Sequence, residues 1–307
     1  MSIRASVDLG SNSTRLLIAD PEHLASGAVL AREMRITRMG AGVDHTKQLQ
    51  ADAIKRVTNC LLEFRQQMEG FDVEAVRVVA TSAARDAQNR ESLFDAVEAT
   101  LGVRPALLSG EREAELSFRG ATSGLSATAQ PPYLIFDIGG GSTEFVFGID
   151  SPAASISVDM GCVRFSERFI ESDPPRAEEL SNAIGFAKDY MTDVLQAIPE
   201  ARRARTLIGL AGTVSAAVRV LHSLDQYDRA RIHHAWLSRE DVESVFRELA
   251  TATQVERLET PGVEPERAQV LVGGMCVLVA VLRTLDCDRI LHSEADLLDG
   301  ALLATDW

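Results

Sequence analysis

The apolar residues of the first 125 positions switch repeatedly between strand-like runs and helix-like spacing. Residues 3–9 and 16–19 are apolar runs separated by small polar residues, a pattern that predicts two strands joined by a short turn. Between residues 54 and 68 the apolar positions recur at helical spacing, which predicts an amphipathic helix packed on the sheet. Further strands are predicted near 32–38, at 76–80 and at 107–108, with a helix beginning near Glu111. This part of the chain is therefore predicted to be an α/β domain.

The same order of elements starts again at residue 133. Strands are predicted at 133–138, 144–148 and 155–158, helices at 163–169 and 177–198, and a strand at 206–210 that enters a helix after Gly212 and Thr213. Both halves open with a strand, a turn containing Asp-x-Gly and a returning strand, which indicates an internal duplication. The stretch 123–132 is rich in Ser, Ala, Thr and Pro and is predicted to connect the halves. A length of 307 residues is that expected for two domains of ordinary size.

One apolar segment, at 270–282, raises the question of a membrane span. Gly273 and Gly274 interrupt it, and it is too short to cross a bilayer, so a buried helix is predicted. No signal peptide is apparent at the start of the sequence. We therefore expect a cytoplasmic protein without a membrane partner.

The composition is that of a soluble globular protein, with 46% hydrophobic and 25% charged residues. The formal net charge of −14 argues against a general nucleic-acid-binding protein, which needs a basic surface to neutralise phosphates. It does not exclude a polyanionic substrate, because backbone N–H groups, a few arginines and a metal ion can make a deep site locally positive. The four cysteines have neither a CxxC pair nor zinc-ligand spacing and are expected to be reduced and mostly buried: Cys60, Cys162, Cys276 and Cys287.

Two turns carry the candidate chemistry. The first follows Asp8 and consists of Gly10, Ser11, Asn12 and Ser13; the second follows Asp137 and consists of Gly139, Gly140, Gly141, Ser142 and Thr143, with Glu144 next. Glycines let the backbone approach a ligand closely, successive N–H groups form a concave anion site, and hydroxyls add donors. The aspartate that ends each strand is suited to a hydrated Mg²⁺ ion, which takes one or two carboxylates. A single turn of this kind is typical of an ordinary hairpin, but two in equivalent positions, facing each other across a cleft, predict a clamp for phosphate groups.

The second turn resembles the signature of a known enzyme family. The segment Asp-Ile-Gly-Gly-Gly-Ser-Thr-Glu at 137–144 is similar to that of the exopolyphosphatases and guanosine pentaphosphate phosphohydrolases. Other segments resemble motifs of that family in the expected order: 7–13 its first phosphate loop, 80–86 its arginine-bearing strand end, 109–114 the start of the helix with its catalytic glutamate, and 160–163 and 209–213 two further turns. The resemblance covers essentially the whole chain and is greatest for the short, two-domain actinobacterial form.

The resemblance implies an α/β fold of two ribonuclease H-like domains, of the superfamily of actin, Hsp70, sugar kinases and acetate kinase. It also implies an active site in the cleft between the domains. We expect domains at 1–125 and 126–307, and the sequence leaves open that the last helix, at 295–307, packs back on the first domain. A homodimer is the default assembly for such a family.

The resemblance further implies roles for individual residues. Glu113 would be the general base, because water is a poor nucleophile until a base accepts its proton. Asp137 and Glu144 would bind or orient Mg²⁺, or Mn²⁺ in its place, with Asp8 nearby through water. Arg85 would bind a pair of phosphate oxygens, a task that suits the fork geometry of its guanidinium group.

The remaining candidates and the structural alternatives stay open at the level of sequence. Gly212 and Thr213 lie where kinases of this fold hold nucleotide. Glu113 shares its helix start with Glu111 and Glu115, and acidic residues are common there because they complement the helix dipole. Arg85 has nearby acidic residues as candidate ion-pair partners instead of phosphate: Asp86 and Glu91. Three polar segments are predicted to be structural: 173–175 as a helix-start signal, 202–205 as a solvated helix end, and 233–234 as a solvated loop.

We therefore expect an exopolyphosphatase, which releases orthophosphate from the ends of inorganic polyphosphate. Hydrolysis of guanosine pentaphosphate is the alternative, because it uses the same residues on a different leaving group. More distant alternatives are a small-molecule kinase and a non-catalytic sensor of phosphate ligands. Many relatives carry a further helical domain after about this point, so short polyphosphate chains are the expected substrates. The sequence also departs from many relatives at Leu298, where they have arginine.

Overall fold

The computed structural model describes residues 2–24 and 29–304. They form two compact units, one comprising the residues up to Gly124 together with those from Ala295 onward, the other Leu125–Glu294. The change from one unit to the other falls within the Ser/Ala/Thr/Pro stretch at 123–132. Residues 305–307 of the predicted last helix lie outside the described residues.

The first unit is built on a five-stranded sheet within the described residues. Its elements in chain order are β1 (Arg4–Leu9), β2 (Ser13–Ala19), β3 (Val29–Ile36), α1 (Val43–Thr46), α2 (Ala51–Glu69), β4 (Ala75–Ala80), α3 (Ser82–Asp86), α4 (Arg90–Leu101), β5 (Ala106–Leu107) and α5 (Gly110–Thr122). The strand order is β3-β2-β1-β4-β5. The first three strands are antiparallel neighbours, whereas β4 lies parallel to β1 and β5 parallel to β4.

The second unit repeats this plan and extends it. Its elements are β6 (Tyr133–Ile138), β7 (Thr143–Gly148), β8 (Pro152–Val158), α6 (Cys162–Phe169), α7 (Ala177–Ala197), β9 (Thr206–Leu210), α8 (Ala211–Leu221), α9 (Arg229–Ile232), β10 (Trp236–Ser238), α10 (Arg239–Thr251), α11 (Gln254–Glu259), α12 (Leu271–Leu285) and β11 (Arg289–His292). The strand order is β10-β11-β9-β6-β7-β8. Again the first three strands are antiparallel, and β9 lies parallel to β6.

Both sheets thus share an antiparallel meander of three strands followed by a strand that returns parallel to the first. This is the order of a ribonuclease H-like domain, so the predicted α/β fold class and the repeated order of elements are confirmed. Several predicted boundaries need correction. β2 begins at Ser13 and β8 at Pro152, each three residues before its predicted start. The third strand of the first sheet runs over Val29–Ile36 and not over 32–38. The helix after β9 begins at Ala211 and not after Thr213, because Ala211 takes a positive φ of 65° and turns the chain at once.

The apolar segment at 270–282 forms most of α12, and every residue from Leu271 to Leu282 is buried. The predicted buried helix is therefore confirmed, and it packs against α6, α7 and α10 in the core of the second unit. In the part of the chain that the structure describes, no helix is long and apolar enough to cross a membrane.

The last helix, α13 (Leu297–Leu303), belongs to the first unit, where it packs against α5 and β1. The Ser6 hydroxyl of β1 donates to the carbonyl oxygen of Leu298 (2.9 Å). The side chain of Leu298 is buried in an apolar cluster with Leu17 and Leu302. Leu298, the position noted as a departure from the family pattern, is therefore a core residue of the first unit.

The contact between α5 and α13 depends on two glycines. A Cβ atom at Gly300 would overlap the backbone carbonyl of Leu116, and one at Gly120 would overlap the carbonyl of Asp296. Backbone atoms cannot move aside as a flexible side chain can, so only glycine allows the two helices to approach this closely.

Gly300→Ala is therefore expected to lower the free energy of unfolding by about 3 kcal/mol, because overpacking must separate α5 from α13. Urea denaturation of the variant measures the loss. The control is Gly185→Ala on α7, an exposed glycine at which an added Cβ atom would meet no described atom within 4 Å. At Gly185 the better helix propensity of alanine is expected to raise the free energy of unfolding by about 1 kcal/mol. Equal effects of the two substitutions would contradict the close packing.

Candidate functional site

The first turn connects β1 to β2 and is fixed from two sides. The Gly10 N–H donates across the turn to the Ser13 carbonyl (3.0 Å), and the Gly40 N–H donates to the Ser11 carbonyl (2.7 Å). The Ser11 hydroxyl accepts from the Ala83 N–H at the start of α3 (3.2 Å). Ser11 is thus both part of the predicted anion loop and a contact that holds the loop to α3 and to the segment after β3.

Asn12 contains a buried group that has no partner among the described residues. Its carbonyl oxygen accepts from the N–H groups of Thr37 (3.1 Å) and Arg38 (2.9 Å), which fixes the backbone. Its side-chain nitrogen, Nδ2, is buried without a hydrogen-bond acceptor. Because an unsatisfied buried donor is costly, this amide is suited to receive an acceptor oxygen such as that of a phosphate group.

Asp8 lies opposite Arg15 in the antiparallel β1–β2 pair. The Nε and Nη2 atoms of Arg15 both donate to Oδ2 of Asp8, at 2.9 and 2.8 Å. Burial raises the pKa of the Asp8 carboxyl above its usual range, and the Arg15 guanidinium opposes that shift. The other oxygen, Oδ1, is buried without a partner in residues 2–24 and 29–304. This orphaned oxygen fits a water molecule or a hydrated cation.

The second turn connects β6 to β7, and the carbonyl groups of its three glycines point towards α6. The carbonyls of Gly139 and Gly140 accept from the N–H groups of Cys162 and Val163, both at 2.9 Å. The Gly141 carbonyl accepts from Nε of Arg164 (2.8 Å). In a trans peptide the C=O of one residue and the N–H of the next point in opposite directions. The N–H groups of residues 140–142 therefore point away from α6, and successive donors of this kind are suited to an anion.

Asp137 and Glu144 are cross-strand neighbours at the end of the β6–β7 hairpin. Their side chains share one face of the sheet, where directly opposed Cβ atoms lie roughly 5 Å apart. Glu144 is buried, and its Oε1 accepts from the hydroxyls of Ser142 and Ser157, both at 2.7 Å. The hydroxyl of Ser142 is thus directed to Glu144, while its N–H remains in the donor set of the turn. Thr143 is the first residue of β7, and its buried hydroxyl donates to the Met160 carbonyl.

Two carboxylates on one face of a hairpin are a suitable donor set for Mg²⁺. This ion takes one or two protein carboxylates and fills its remaining positions with water and phosphate oxygens. Within the described ranges no group of three or more His, Cys, Asp or Glu side chains is arranged to hold a metal ion.

Glu113 is the only buried member of the acidic trio at the start of α5. The Ser109 hydroxyl caps that helix by accepting from the Arg112 N–H (3.2 Å). Glu111 is exposed, and Glu115 lies at the surface near Arg112 (2.6 Å). Glu113 Oε2 accepts from Nη1 of Arg85, at 2.6 Å.

Arg85, on α3, pairs with Glu113, whereas Glu91, one of its candidate partners, pairs with Arg104. Its Nη1 also donates to the Leu108 carbonyl (2.9 Å), just before α5 begins. Both residues belong to the first unit. The structure thus places Arg85 where it orients the carboxylate of Glu113.

Gly212 and Thr213 lie in the first turn of α8, and Thr213 is buried. A Cβ atom at Gly212 would overlap the guanidinium group of Arg267, whose Nε donates to Glu264 Oε2 (2.6 Å). Sequence reasoning missed Arg267, because nothing in the sequence around it shows that it packs on a turn 55 residues earlier.

A second missed feature is the pair Met39-Gly40. It follows the third strand of the first sheet, as Met160-Gly161 follows the third strand of the second. Gly40 binds the first turn, and a Cβ at Gly161 would overlap the backbone of Gly140 in the second. Aligning the two halves of the sequence on their Asp-x-Gly turns would have revealed this repeat.

Two predictions of purely solvated or local roles are wrong. His233 and His234 are half-buried and stacked, with ring centroids 3.7 Å apart, and His233 Nδ1 accepts from the Glu294 N–H (3.0 Å). Burial lowers the pKa of His233 to about 3, so the ring is neutral.

Asp173 does more than mark a helix start, because its carboxylate accepts from the Gln254 N–H (2.7 Å) and from Arg257 (3.2 Å). The arginines at 202, 203 and 205 are exposed, as predicted.

Comparison with known proteins shows the family of this chain. The model of the Ppx/GppA phosphatase family matches residues 17–305. Exopolyphosphatase 2 of Mycobacterium tuberculosis is 39% identical over 98% of this chain and 97% of its own length. A phosphatase-containing protein of Fusobacterium nucleatum, the bifunctional 3-dehydroquinate synthase/phosphatase, is 32% identical over 98% of this chain and 46% of its own length.

Solved structures of exopolyphosphatases and Ppx/GppA proteins are also similar to this chain. The crystal structure of an exopolyphosphatase-like protein superposes with a TM-score of 0.92 at 34% identity, covering 98% of both chains. An exopolyphosphatase from Cytophaga hutchinsonii superposes with a TM-score of 0.84 at 27% identity, covering 97% of this chain and 96% of its own. The Ppx/GppA family member of Aquifex aeolicus has a TM-score of 0.79 at 28% identity, with coverage of 98% and 96%. From the family match and the full-length relative, the chain belongs to the Ppx/GppA phosphatase family.

Proposed function

We propose that this enzyme is an exopolyphosphatase that hydrolyses the terminal phosphoanhydride bond of inorganic polyphosphate with the help of Mg²⁺. The observation that carries the proposal is the chemistry of the two equivalent hairpin turns. One presents a set of N–H donors beside two carboxylates, and the other contains an orphaned amide and an orphaned carboxylate oxygen. The 39% identity to a mycobacterial exopolyphosphatase over nearly the whole chain supports the same substrate.

Glu113 is assigned the role of general base. A water oxygen attacks the terminal phosphorus while the bridging P–O bond breaks, and the shortened chain leaves with the bonding electrons. Glu113 accepts the proton that the water loses, which yields orthophosphate. The ion pair with Arg85 orients the carboxylate for this task.

The two turns are assigned to the phosphate oxygens. Phosphoryl transfer needs little covalent help from a protein, so positioning and electrostatic stabilisation supply most of the rate enhancement. The N–H groups of residues 140–142 and the Asn12 amide are donors already fixed by the fold. They need no reorganisation as charge develops on the transferring group.

Asp137 and Glu144 would hold Mg²⁺, or Mn²⁺ in its place, with Asp8 binding through water. When bound, the ion supplies positive charge that offsets the charge on the phosphate oxygens. Gly212 and Thr213, beside Arg267, are assigned to phosphates farther along the substrate chain. The proposal includes short chains as preferred substrates and a cytoplasmic location. It also includes a homodimer, and sedimentation analysis would test that oligomeric state.

Orthophosphate release by the purified enzyme with Mg²⁺ tests the proposal. Short polyphosphate, long polyphosphate and guanosine pentaphosphate are compared at equal concentrations of terminal phosphate, with Glu113→Gln as the inactive control. We expect the fastest release from short polyphosphate. Faster release from guanosine pentaphosphate would instead assign the enzyme to that nucleotide, and no release from any of the three would contradict the proposed activity.

A further inference from the structure

The C-terminal helix is linked to the first turn by a chain of buried charges. Asp296 is the N-cap residue of α13, and its Oδ1 accepts from the Leu298 N–H (2.9 Å). Its other oxygen, Oδ2, accepts from Nη1 of Arg15. Asp296 is 4% exposed, so this ion pair is shielded from water.

Arg15 divides its donors between two carboxylates. Nη1 binds Asp296, while Nε and Nη2 bind one oxygen of Asp8 at 2.9 and 2.8 Å. A guanidinium group beside a single carboxylate prefers a two-pronged pairing that engages both carboxylate oxygens. The contact with Asp296 draws Arg15 away from that geometry, and Oδ1 of Asp8 stays without a partner among the described residues.

A second arginine completes the network. Arg32, on β3, pairs with Asp299 (2.5 Å) and lies 3.8 Å from Oδ1 of Asp296. The three carboxylates of Asp8, Asp296 and Asp299 thus share two guanidinium groups, those of Arg15 and Arg32. All five side chains belong to the first unit.

We infer that Asp296 is a positioning residue that acts on Asp8 through Arg15. It restricts Arg15 to one oxygen of Asp8 and keeps the other oxygen available to the water shell of the metal ion. The inference rests on the proposed function, because it assumes that Asp8 interacts with the metal ion. Without the charge of Asp296, Arg15 would turn to pair with both oxygens of Asp8 and would displace the hydrated ion.

Mn²⁺ binding to the protein without substrate, followed by electron paramagnetic resonance, tests the inference. Asp296→Asn keeps a side-chain oxygen that caps α13 but removes the charge that attracts Arg15. Asp299→Asn is the matched control, because it removes the same charge from the same helix but at the residue paired with Arg32. We expect Asp296→Asn to weaken Mn²⁺ binding about tenfold and Asp299→Asn to change it less than about twofold.

Combining Asp296→Asn with Asp8→Asn tests whether Asp296 acts on the metal ion through Asp8. If Asp296 acts only through Asp8, the double variant Asp8→Asn, Asp296→Asn binds Mn²⁺ as weakly as Asp8→Asn alone. Additive losses, equal losses in Asp296→Asn and Asp299→Asn, or no Mn²⁺ binding by the wild-type protein would each overturn the inference. Phosphate release is measured separately, so a wild-type protein that shows the expected binding pattern but hydrolyses no substrate would contradict the proposed function alone.

Discussion

Replacing Glu113 by glutamine is expected to lower the rate of phosphate release by about 10³-fold, since general bases typically contribute 10²–10⁴-fold. The substitution preserves the size of the side chain and an oxygen that accepts from Arg85. It removes the group that takes the proton from water. The expected change is therefore in kcat, with KM for polyphosphate close to that of the wild-type enzyme.

Glu115→Gln is the matched control for this variant. Glu115 lies on the same helix two residues later, at the surface, where it pairs with Arg112 and Arg119. Surface ion pairs contribute little to stability, so this variant is expected to keep wild-type activity. If Glu113→Gln retained more than a tenth of the wild-type kcat, Glu113 would not be the base.

Asp137→Asn is expected to lower activity by about 100-fold or more and to raise the Mg²⁺ concentration required for half-maximal activity. Loss of residues that only support metal ligands costs 10–100-fold, and a direct ligand should cost at least as much. The cross-strand position opposite Glu144 places Asp137 in the only pair of opposed carboxylates at the two turns. Mn²⁺ binding in the absence of substrate gives a measurement that is independent of activity.

The control for Asp137→Asn is Asp159→Asn. Asp159 has an exposed side chain 3.6 Å from Arg164, the arginine that binds the second turn. The substitution Asp159→Asn removes an acidic group close to the turn and leaves the opposed carboxylates of Asp137 and Glu144 unchanged. Equal losses of Mn²⁺ binding in the two variants would show that general negative charge, and not coordination by Asp137, determines affinity for the metal.

The two hairpins differ at one position that matters for these expectations. Opposite the strand-ending aspartate, the first hairpin has Arg15 and the second has Glu144. The same backbone therefore presents a carboxylate paired with a cation in one unit and two carboxylates in the other. Since a cation prefers the second arrangement, the duplicated turns are assigned different tasks: direct metal binding by the second, and contact through water by the first.

The strands around the two turns, the turns themselves and the repeat of their order followed from the sequence alone, whereas the helices at 82–101 and most elements of 229–292 were not predicted. Strand runs, helical spacing and small polar turns are local signals, because they reflect which side chains can alternate across a strand or line one face of a helix. The duplication was visible for the same reason: each half repeats the same short-range pattern. Buried α12 was also predicted, since its apolar run admits few other arrangements.

Tertiary structure decided the partners of the charged side chains. Arg85 pairs with Glu113, 28 positions away, and Arg15 links Asp8 to Asp296, 281 positions after Arg15. Glu91 was a plausible partner of Arg85 but pairs with Arg104, and the direction of α3 and the start of α5 bring Arg85 to Glu113. Burial likewise made Leu298 a core residue and His233 a neutral, half-buried ring. Such pairings depend on which helices and strands meet in the folded chain. Short-range periodicity contains no information about contacts between residues that are far apart in sequence.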